Sequence, residues 1–206
     1  MGSPHHLERS RVNNPRPAGR PPVTSRDAIE AAAFELFGTN GFEATTVDDI
    51  AEAAEIGRRT FFRYFASKND IVWGDWDAAL ALMRARLAAA DESLSVLEVL
   101  RDEVVEYNRL TPEAEASHRR RMDLILHVPA LQAHSTLRYA QWREVIAEFV
   151  ARRRGEAVGD LRPQLLGHVA LGAAVTAYEQ WLADPSAELT ELLDAALTAL
   201  GALDRD

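Results

Sequence analysis

Two stretches of this chain decide its fold: residues 41–51, GFEATTVDDIA, and residues 57–68, GRRTFFRYFASK. Apolar residues recur in both at spacings of three and four, which is typical of helices with one buried face. Thr45 and Asp48 have the spacing of a capping box, in which a hydroxyl and a carboxylate satisfy free N–H groups at a helix N-terminus. We therefore predict one helix that begins at Thr45 and a short second helix within the later stretch.

A helix that precedes these two completes a small core. Thr24 and Asp27 have the same capping spacing, and the apolar period continues to about Gly38. The predicted helices are 24–38, 45–54 and 58–65. Because only a few residues join the second and third helices, these must cross steeply, as in a helix-turn-helix. The shared apolar faces consist of Ile29, Ala33, Leu36, Phe37, Val47, Ile50, Ala51, Ile56, Phe61 and Phe65.

The rest of the chain continues the helical period, with no alternating strand pattern. Ser67 and Asp70 predict the start of a long fourth helix that continues past Leu87. Further helices are predicted near 93–110, 112–127, 130–154, 161–183 and 186–201. The predicted fold is therefore all-α, with nine helices.

The chain divides into three parts. Residues 1–23 hold five of the nine prolines and little apolar content, which predicts a flexible basic arm. Residues 24–66 form the predicted helix-turn-helix domain, and residues 67–206 form a second helical domain.

Charge is distributed unevenly along the chain. A net charge of −9 argues at first against a nucleic-acid partner, because phosphate binding uses an excess of Lys and Arg. Residues 1–68, however, carry nine basic and nine acidic side chains, so the excess of acid lies in the remainder. Arg58, Arg59, Arg63 and Lys68 follow one another with no acid between them. This pattern suits a DNA-binding helix, although short cationic helices are often solvated faces only.

Composition excludes several classes of protein. The chain has no cysteine, which excludes disulfides and thiol catalysis, and it has no run of roughly 18 apolar residues that could span a bilayer. We expect a cytoplasmic protein with no membrane partner. The histidines His118, His127, His134 and His168 match no metal-binding or catalytic pattern. We therefore expect no catalytic residue, no metal and no cofactor.

Residues 41–51 and 60–68 resemble the signature of the TetR family of transcriptional regulators in residue type and spacing. The resemblance implies a nine-helix fold whose first domain binds operator DNA and whose second domain, residues 67–206, dimerises and binds a small molecule. Repression is the usual mode of regulation in this family. The expected partners are a near-palindromic operator duplex, a second copy of the chain and a hydrophobic effector.

The resemblance also implies a set of DNA contacts. Thr45 and Thr46 should meet phosphate through backbone N–H groups at a helix N-terminus, and Lys68 should add a second phosphate contact. Arginine on the third helix suits guanine, whose O6 and N7 it bonds together. Arg20, in the arm, is expected to enter a minor groove, or alternatively to add only nonspecific charge. The expected contact residues are Arg20, Thr45, Thr46, Arg58, Arg59, Thr60, Arg63, Tyr64 and Lys68.

Two residues depart from the family pattern. Phe62 stands where many relatives carry a tyrosine that touches phosphate, so we expect that contact to be absent. Glu55 stands where a glycine is common in the turn, so the turn geometry is less constrained by the resemblance.

In TetR relatives the last two helices pair with those of a second subunit in a four-helix bundle. The helix at 161–183 is rich in small residues, and an interface position is expected for Ala173 and Ala174. The alternative is that both helices only cover the core of one subunit.

A ligand chamber is expected within the fourth to seventh helices. The lining residues are predicted to be Met83, Leu87, Val104, Tyr107, Asn108, Met122, Leu126, Trp142 and Ile146. Residues 57–65 and 127–131 resemble TetR regulators associated with mycofactocin gene clusters, a subgroup linked with acyl-CoA-like ligands. An acyl-CoA is therefore the leading effector hypothesis, and the continuous fourth helix is its expected route to the DNA-binding domain.

Two other classes of function remain open at this level. An architectural DNA-binding protein would need no ligand, and a metabolite that shifts operator binding would exclude it. An enzyme would need a catalytic pattern that the sequence does not contain.

Overall fold

We describe the fold from a computed structural model, which covers the backbone of residues 25–203 and the side chains of residues 25–200. The predicted arm with Arg20, and Thr24, lie outside the described residues. Over the described range the fold is all-α, with nine α-helices and no strand, which confirms the predicted fold class. The helices are α1 (Arg26–Asn40), α2 (Val47–Ala53), α3 (Arg58–Tyr64), α4 (Trp76–Ala88), α5 (Val96–Tyr107), α6 (Pro112–His127), α7 (Pro129–Arg154), α8 (Leu161–Ala183) and α9 (Leu189–Leu203). None of these helices is long and apolar enough to cross a membrane.

The first three helices form the predicted core around Ile29, Ile50 and Phe61, all fully buried. The same cluster continues into the second part of the chain through Ile125 of α6 and Leu131 of α7. The boundary predicted at residue 66 stays a prediction, because the apolar core extends across it.

Both of the first two helix starts lie one residue later than predicted. The N-cap of α1 is Ser25, whose hydroxyl accepts from the Ala28 N–H at 3.1 Å. The N-cap of α2 is Thr46, which forms a reciprocal capping box with Asp49. Thr45 is unavailable for this because it is buried and its hydroxyl donates to the Gly41 carbonyl at 2.8 Å.

The predicted long fourth helix is wrong. Residues Lys68–Trp73 form a 3₁₀ segment, the chain turns at Gly74 with φ +56°, and α4 begins only after the N-cap Asp75. The Val72 carbonyl, which a continuous helix would bond internally, accepts instead from the Arg121 guanidinium at 2.8 Å. The Ile71 carbonyl accepts both from this guanidinium at 3.3 Å and from the Gly74 N–H at 3.2 Å. At Val72 a tertiary contact thus replaces a backbone bond of the kind that would have joined the two segments.

The second part of the chain is built around α7, which packs against α4, α6 and α8. One apolar cluster lies between α4, α5 and α7, and another between α5, α8 and α9. At the contact of α7 with α8, a Cβ on Gly167 would lie 2.9 Å from the Arg143 carbonyl oxygen. Glycine at this position therefore allows the two longest helices to approach closely.

Candidate DNA-binding surface and ligand cavity

Helix α3 presents a basic face to solvent, on which the ring of Phe62 is also exposed. Phe61 and Phe65 are buried against α1 and α2, and this orientation leaves Arg58, Arg59 and Arg63 exposed. Thr60 and Tyr64 are half-buried beside them. The structure thus brings five of the predicted DNA-contact residues together on one short helix.

The three exposed arginines of α3 differ in the ion pairs, hydrogen bonds and ring contacts that they make. Nη1 of Arg58 donates to both carboxylate oxygens of Asp48 on α2 at 2.8 Å, and its guanidinium lies 5.5 Å from the ring centre of Phe62. Arg63 stacks on Tyr64 at 5.1 Å. Arg59 makes no ion pair or hydrogen bond with any described residue. Of the three arginines, Arg59 would therefore break the fewest existing contacts when it binds a base.

Lys68 joins two parts of the helix-turn-helix. Its Nζ donates to the Phe42 carbonyl at 2.6 Å and to the Thr45 carbonyl at 2.8 Å, and it lies 4.3 Å from the ring centre of Phe42. Partial burial lowers the pKa of Lys68, against a smaller opposing effect of the Glu43 carboxylate. The side chain therefore has a structural task, and its predicted phosphate contact stays a prediction.

The structure changes the expectation for the N-terminus of α2. Thr45 is 1% exposed, so we reassign it from phosphate contact to the core. The Thr46 N–H already donates to Asp49 at 2.8 Å. The N–H groups of Val47 and Asp48 are the ones that a helix start leaves without an internal partner. The sequence pattern placed the cap of α2 one residue too early. With the cap at Thr46, the same pattern would have indicated the N–H groups of Val47 and Asp48.

The turn after α2 passes through Glu55 with φ +53°. Left-handed backbone favours glycine. Glu55 therefore adopts the conformation of the turn at a cost in free energy that glycine, the residue common in the family, would avoid.

Arg121 of the second part bonds to the helix-turn-helix, and Arg138 and His134 contact the 3₁₀ segment that follows it. Arg121 on α6 donates to Glu30 of α1 at 3.0 Å as well as to the 3₁₀ segment. Asp70 in that segment accepts from Arg138 of α7 at 2.6 Å. His134 also lies 3.2 Å from the Asp70 carboxylate. Sequence reasoning missed these contacts because each joins residues far apart in the chain.

An apolar cavity of about 170 Å³ lies between the 3₁₀ segment and helices α4 to α8. Six of the nine predicted ligand residues line it: Val104, Tyr107, Asn108, Met122, Leu126 and Trp142. The other three, Met83, Leu87 and Ile146, do not, because they are buried in the cluster between α4, α5 and α7. Sequence reasoning missed much of the aromatic lining: Trp73, Trp76, Tyr139 and Tyr178.

The cavity has a polar wall, and two further polar atoms of its lining residues, Nε1 of Trp73 and the Tyr139 hydroxyl, are buried without a hydrogen-bond partner among the described residues. The Tyr178 hydroxyl donates to Oδ1 of Asn108, and Nε2 of His118 lies 2.9 Å from the same hydroxyl. Burial lowers the pKa of His118 to about 4, with a smaller contribution from the nearby Arg121 charge. His118 is therefore neutral at physiological pH.

A wider groove of about 580 Å³ lies between α4, α5 and α9. Its walls are largely charged, and the buried Glu103 is already paired with Arg86 at 2.8 Å. The apolar cavity is the better candidate for a hydrophobic ligand.

Comparison with known proteins identifies the family. Residues 29–72 match the family described as bacterial regulatory proteins, tetR family, and residues 94–203 match the MftR C-terminal domain. The mycofactocin biosynthesis transcriptional regulator MftR of Mycobacterium tuberculosis is 47% identical over 188 residues, which are 91% of this chain and 95% of that protein. The chain belongs to the TetR family. The resemblance seen in the sequence is thereby confirmed.

Solved structures of the TetR family have the same fold. A TetR-family transcriptional regulator from Syntrophomonas wolfei aligns with a TM-score of 0.65 at 15% identity, covering 88% of this chain and 95% of that one. FadR of Thermus thermophilus, a TetR-family repressor solved in complex with lauroyl-CoA, aligns with a TM-score of 0.54 at 25% identity, covering 85% and 93%. This chain is accordingly a transcriptional regulator of the TetR family, and its relatives are regulators rather than enzymes.

Proposed function

We propose that this chain is a repressor that binds a near-palindromic operator as a homodimer and leaves it when a hydrophobic small molecule enters the cavity. The leading candidate for the effector is a fatty acyl thioester such as an acyl-CoA. The observation that carries the proposal is Arg121, which lines the cavity and is bonded both to α1 and to the 3₁₀ segment. One side chain therefore contacts both the ligand site and the domain that would bind DNA.

Operator recognition is assigned to α3. Arg58 and Arg59 are exposed on its N-terminal turn, and the guanidinium fork bonds O6 and N7 of guanine together. Thr60, Arg63 and Tyr64 would complete the surface. The helix is short, so two copies held about one DNA turn apart would supply the specificity that one half-site lacks.

Dimerisation through α8 and α9 is supported by the outward face of α8. Leu161 is 83% exposed and Leu165 is 53% exposed, and a second copy would bury both. Gly172, further along this face, has no atom within 4 Å of the position of a Cβ, which leaves room for a partner helix. The interface position expected for Ala174 is wrong, because this residue lines the cavity and is only 8% exposed.

Ligand control is proposed to act through expansion of the cavity. A volume of about 170 Å³ is of the size that holds a single ring, so a long acyl chain would have to separate the surrounding helices. Such a movement would displace Arg121 and with it the 3₁₀ segment and α1. A ligand shifts the equilibrium only by its difference in affinity between the two states, and a coupling of about 1–3 kcal/mol is sufficient. The lauroyl-CoA bound by the FadR relative supports an acyl effector.

The test is DNA footprinting of the region upstream of the gene, followed by titration with saturated acyl thioesters of increasing chain length. We expect dissociation that strengthens with chain length. Ala174→Leu, which fills part of the cavity, should weaken the response, whereas Ala140→Leu on the exposed face of α7 should not. Indifference to every acyl compound, together with release by a polar metabolite, would contradict the acyl effector.

Sedimentation tests the dimer. Gly172→Glu should produce a monomer at micromolar concentration and lose operator affinity, whereas Ala78→Glu on the exposed face of α4 should leave both unchanged. A wild-type monomer with full operator affinity would contradict the dimer.

A further inference from the structure

The polar wall of the cavity is a chain of hydrogen bonds whose direction is determined at one end. The Val104 carbonyl can only accept, and Nδ2 of Asn108 donates to it at 2.8 Å. The amide oxygen of Asn108 therefore faces Tyr178, and the Tyr178 hydroxyl donates its single proton to that oxygen. The oxygen of Tyr178 is left as an acceptor toward its other neighbour.

That neighbour is His118, whose Nε2 lies 2.9 Å from the Tyr178 oxygen. Because the tyrosine proton is already used, Nε2 must carry the hydrogen and donate it. A neutral imidazole has one N–H, so Nδ1 of His118 is a bare acceptor. No residue that the structure describes donates to this nitrogen.

The surroundings of His118 limit what could meet that acceptor. The cavity is lined with the rings of Trp73, Trp76, Tyr139 and Trp142, which suit a flat partner. The one charged side chain in the lining, Arg121, is bonded to Glu30 and to backbone carbonyls. The cavity therefore offers no unpaired charge, and its volume of about 170 Å³ is close to that of cavities that hold a benzene ring.

We propose that this cavity selects an uncharged, ring-sized molecule, or a ring-sized segment of a longer effector, that carries a hydroxyl or N–H group to donate to Nδ1 of His118. The inference rests on the proposed function, in that the same cavity is the effector site. In an acyl thioester of coenzyme A, the first group that could serve is the amide N–H two carbons from the sulfur. A free carboxylate has no such donor and brings a charge that the lining does not neutralise.

The selectivity follows from an asymmetry in hydrogen bonding. A ligand with a donor satisfies Nδ1, whereas a ligand of equal shape without one displaces water from Nδ1 and leaves it unpaired. Sites built around a buried hydrogen bond reject analogues that lack the matching group far more strongly than apolar pockets reject a change of size.

Phenol and anisole are suitable probes, because both are single uncharged rings and only phenol donates. Calorimetric titration of the full chain should show phenol binding at least about tenfold more tightly than anisole. His118→Phe should abolish the difference while anisole still binds. Tyr178→Phe should reduce the difference, because His118 is then free to take the other tautomer, and His127→Phe on the exposed end of α6 should leave it unchanged.

Nitrogen-15 NMR of the wild-type histidines provides a test that needs no variant. We expect His118 to be neutral with the hydrogen on Nε2, and its Nδ1 resonance to move upfield when phenol donates to it and downfield when anisole displaces water from it. A hydrogen on Nδ1, equal binding of the two probes, binding of neither, or a difference that survives His118→Phe would each overturn the inference.

The inference and the proposed function can fail separately. If acyl thioesters release the operator while phenol and anisole bind equally, the effector proposal stands and the role of His118 is wrong. If phenol binds through His118 but no hydrophobic compound changes operator affinity, the selective cavity stands and ligand control is wrong.

Discussion

The recognition helix and the ligand cavity use polar side chains in opposite ways. On α3 the arginines point outward, and Arg59 is left without a partner within residues 25–200. In the cavity the polar groups of Asn108, Tyr178 and His118 satisfy one another and leave only one acceptor unused. On a DNA-binding surface, hydrogen-bond donors can lack a protein partner because water accepts from them until DNA binds. In a cavity an unpaired polar group costs free energy, so hydrogen bonds among the lining side chains are favoured there.

The largest effect is expected where these two regions meet. Arg121→Met should lower the free energy of unfolding by about 3 kcal/mol, because it leaves Glu30 and the Val72 carbonyl without their donor. It should also weaken operator release, since the link between cavity and α1 is gone. Urea unfolding and operator titration measure the two effects. Arg120→Met, on the exposed face of the same helix, should change stability by less than about 0.5 kcal/mol, and equal losses in both variants would contradict the assignment.

The next effect concerns the DNA-binding side of the comparison. Arg59→Ala or Arg58→Ala should weaken cognate operator binding by about 2 kcal/mol and relax discrimination at one base pair, because the contact with a base edge is lost. Binding to cognate and random duplexes at several salt concentrations measures this. Arg109→Ala, an exposed arginine of the second part, is the matched control. If both α3 variants keep full discrimination, the recognition surface lies elsewhere.

Lys68→Ala separates phosphate contact from structure. If Lys68 meets phosphate, the variant should weaken cognate and random duplexes alike and reduce the salt dependence by about one charge. Loss of its two hydrogen bonds to the α1–α2 loop should also lower thermal stability. Lower stability with an unchanged salt dependence would limit the residue to its structural task.

A smaller effect tests the neutrality of the cavity. The pKa of His118 is about 4 in the fold, below its ordinary value of 6.5, so the folded state binds a proton less readily than the unfolded chain. The resulting stability is present above pH 6.5 and is lost as the pH falls from 6.5 toward 4, by about 1–2 kcal/mol at pH 5. Urea unfolding at pH 7 and pH 5 measures the loss. In His118→Gln the loss between these pH values should be smaller by that amount, and an unchanged loss would assign it to other groups.

The smallest effect is expected in the turn of the helix-turn-helix. Glu55→Gly should raise the free energy of unfolding by about 0.5 kcal/mol, because the left-handed backbone at this position no longer strains a side chain. Glu52→Gly, in the regular helix α2, should lower it by about 1 kcal/mol. Thermal unfolding compares the two variants, and a loss of stability in both would contradict the relief of strain.

The two regions also differ in how far sequence could predict them. The basic face of α3 follows from a period of three to four residues within twelve consecutive positions, so a local pattern was sufficient. A local pattern was not sufficient for the exact capping residue of α2. Thr45 and Thr46 are equally good capping residues, and only the packing of Thr45 beneath the loop decides between them. Likewise, Ser67 and Asp70 have capping spacing, but their side chains bond to each other at the start of a 3₁₀ segment.

For the cavity, sequence could indicate the helices that enclose it but not which apolar residues face it. Met83 and Leu87 have the same helical period as true lining residues, yet they face the neighbouring cluster. Residues that carry the site's chemistry come from distant positions, such as His118 and Tyr178, and no spacing rule joins them.

By itself, the amino-acid sequence determined the helical class of this protein, its DNA-binding motif and its family, because helix periodicity and turn spacing act over a few consecutive residues. The tertiary structure alone decided where the fourth helix breaks, which side chains link the two parts, and which nitrogen of His118 is left without a donor. These depend on side chains such as Arg121 that satisfy backbone groups about fifty residues away. A local pattern contains no information about such a partner, because a side chain and a backbone group so far apart in the chain become neighbours only in the folded structure.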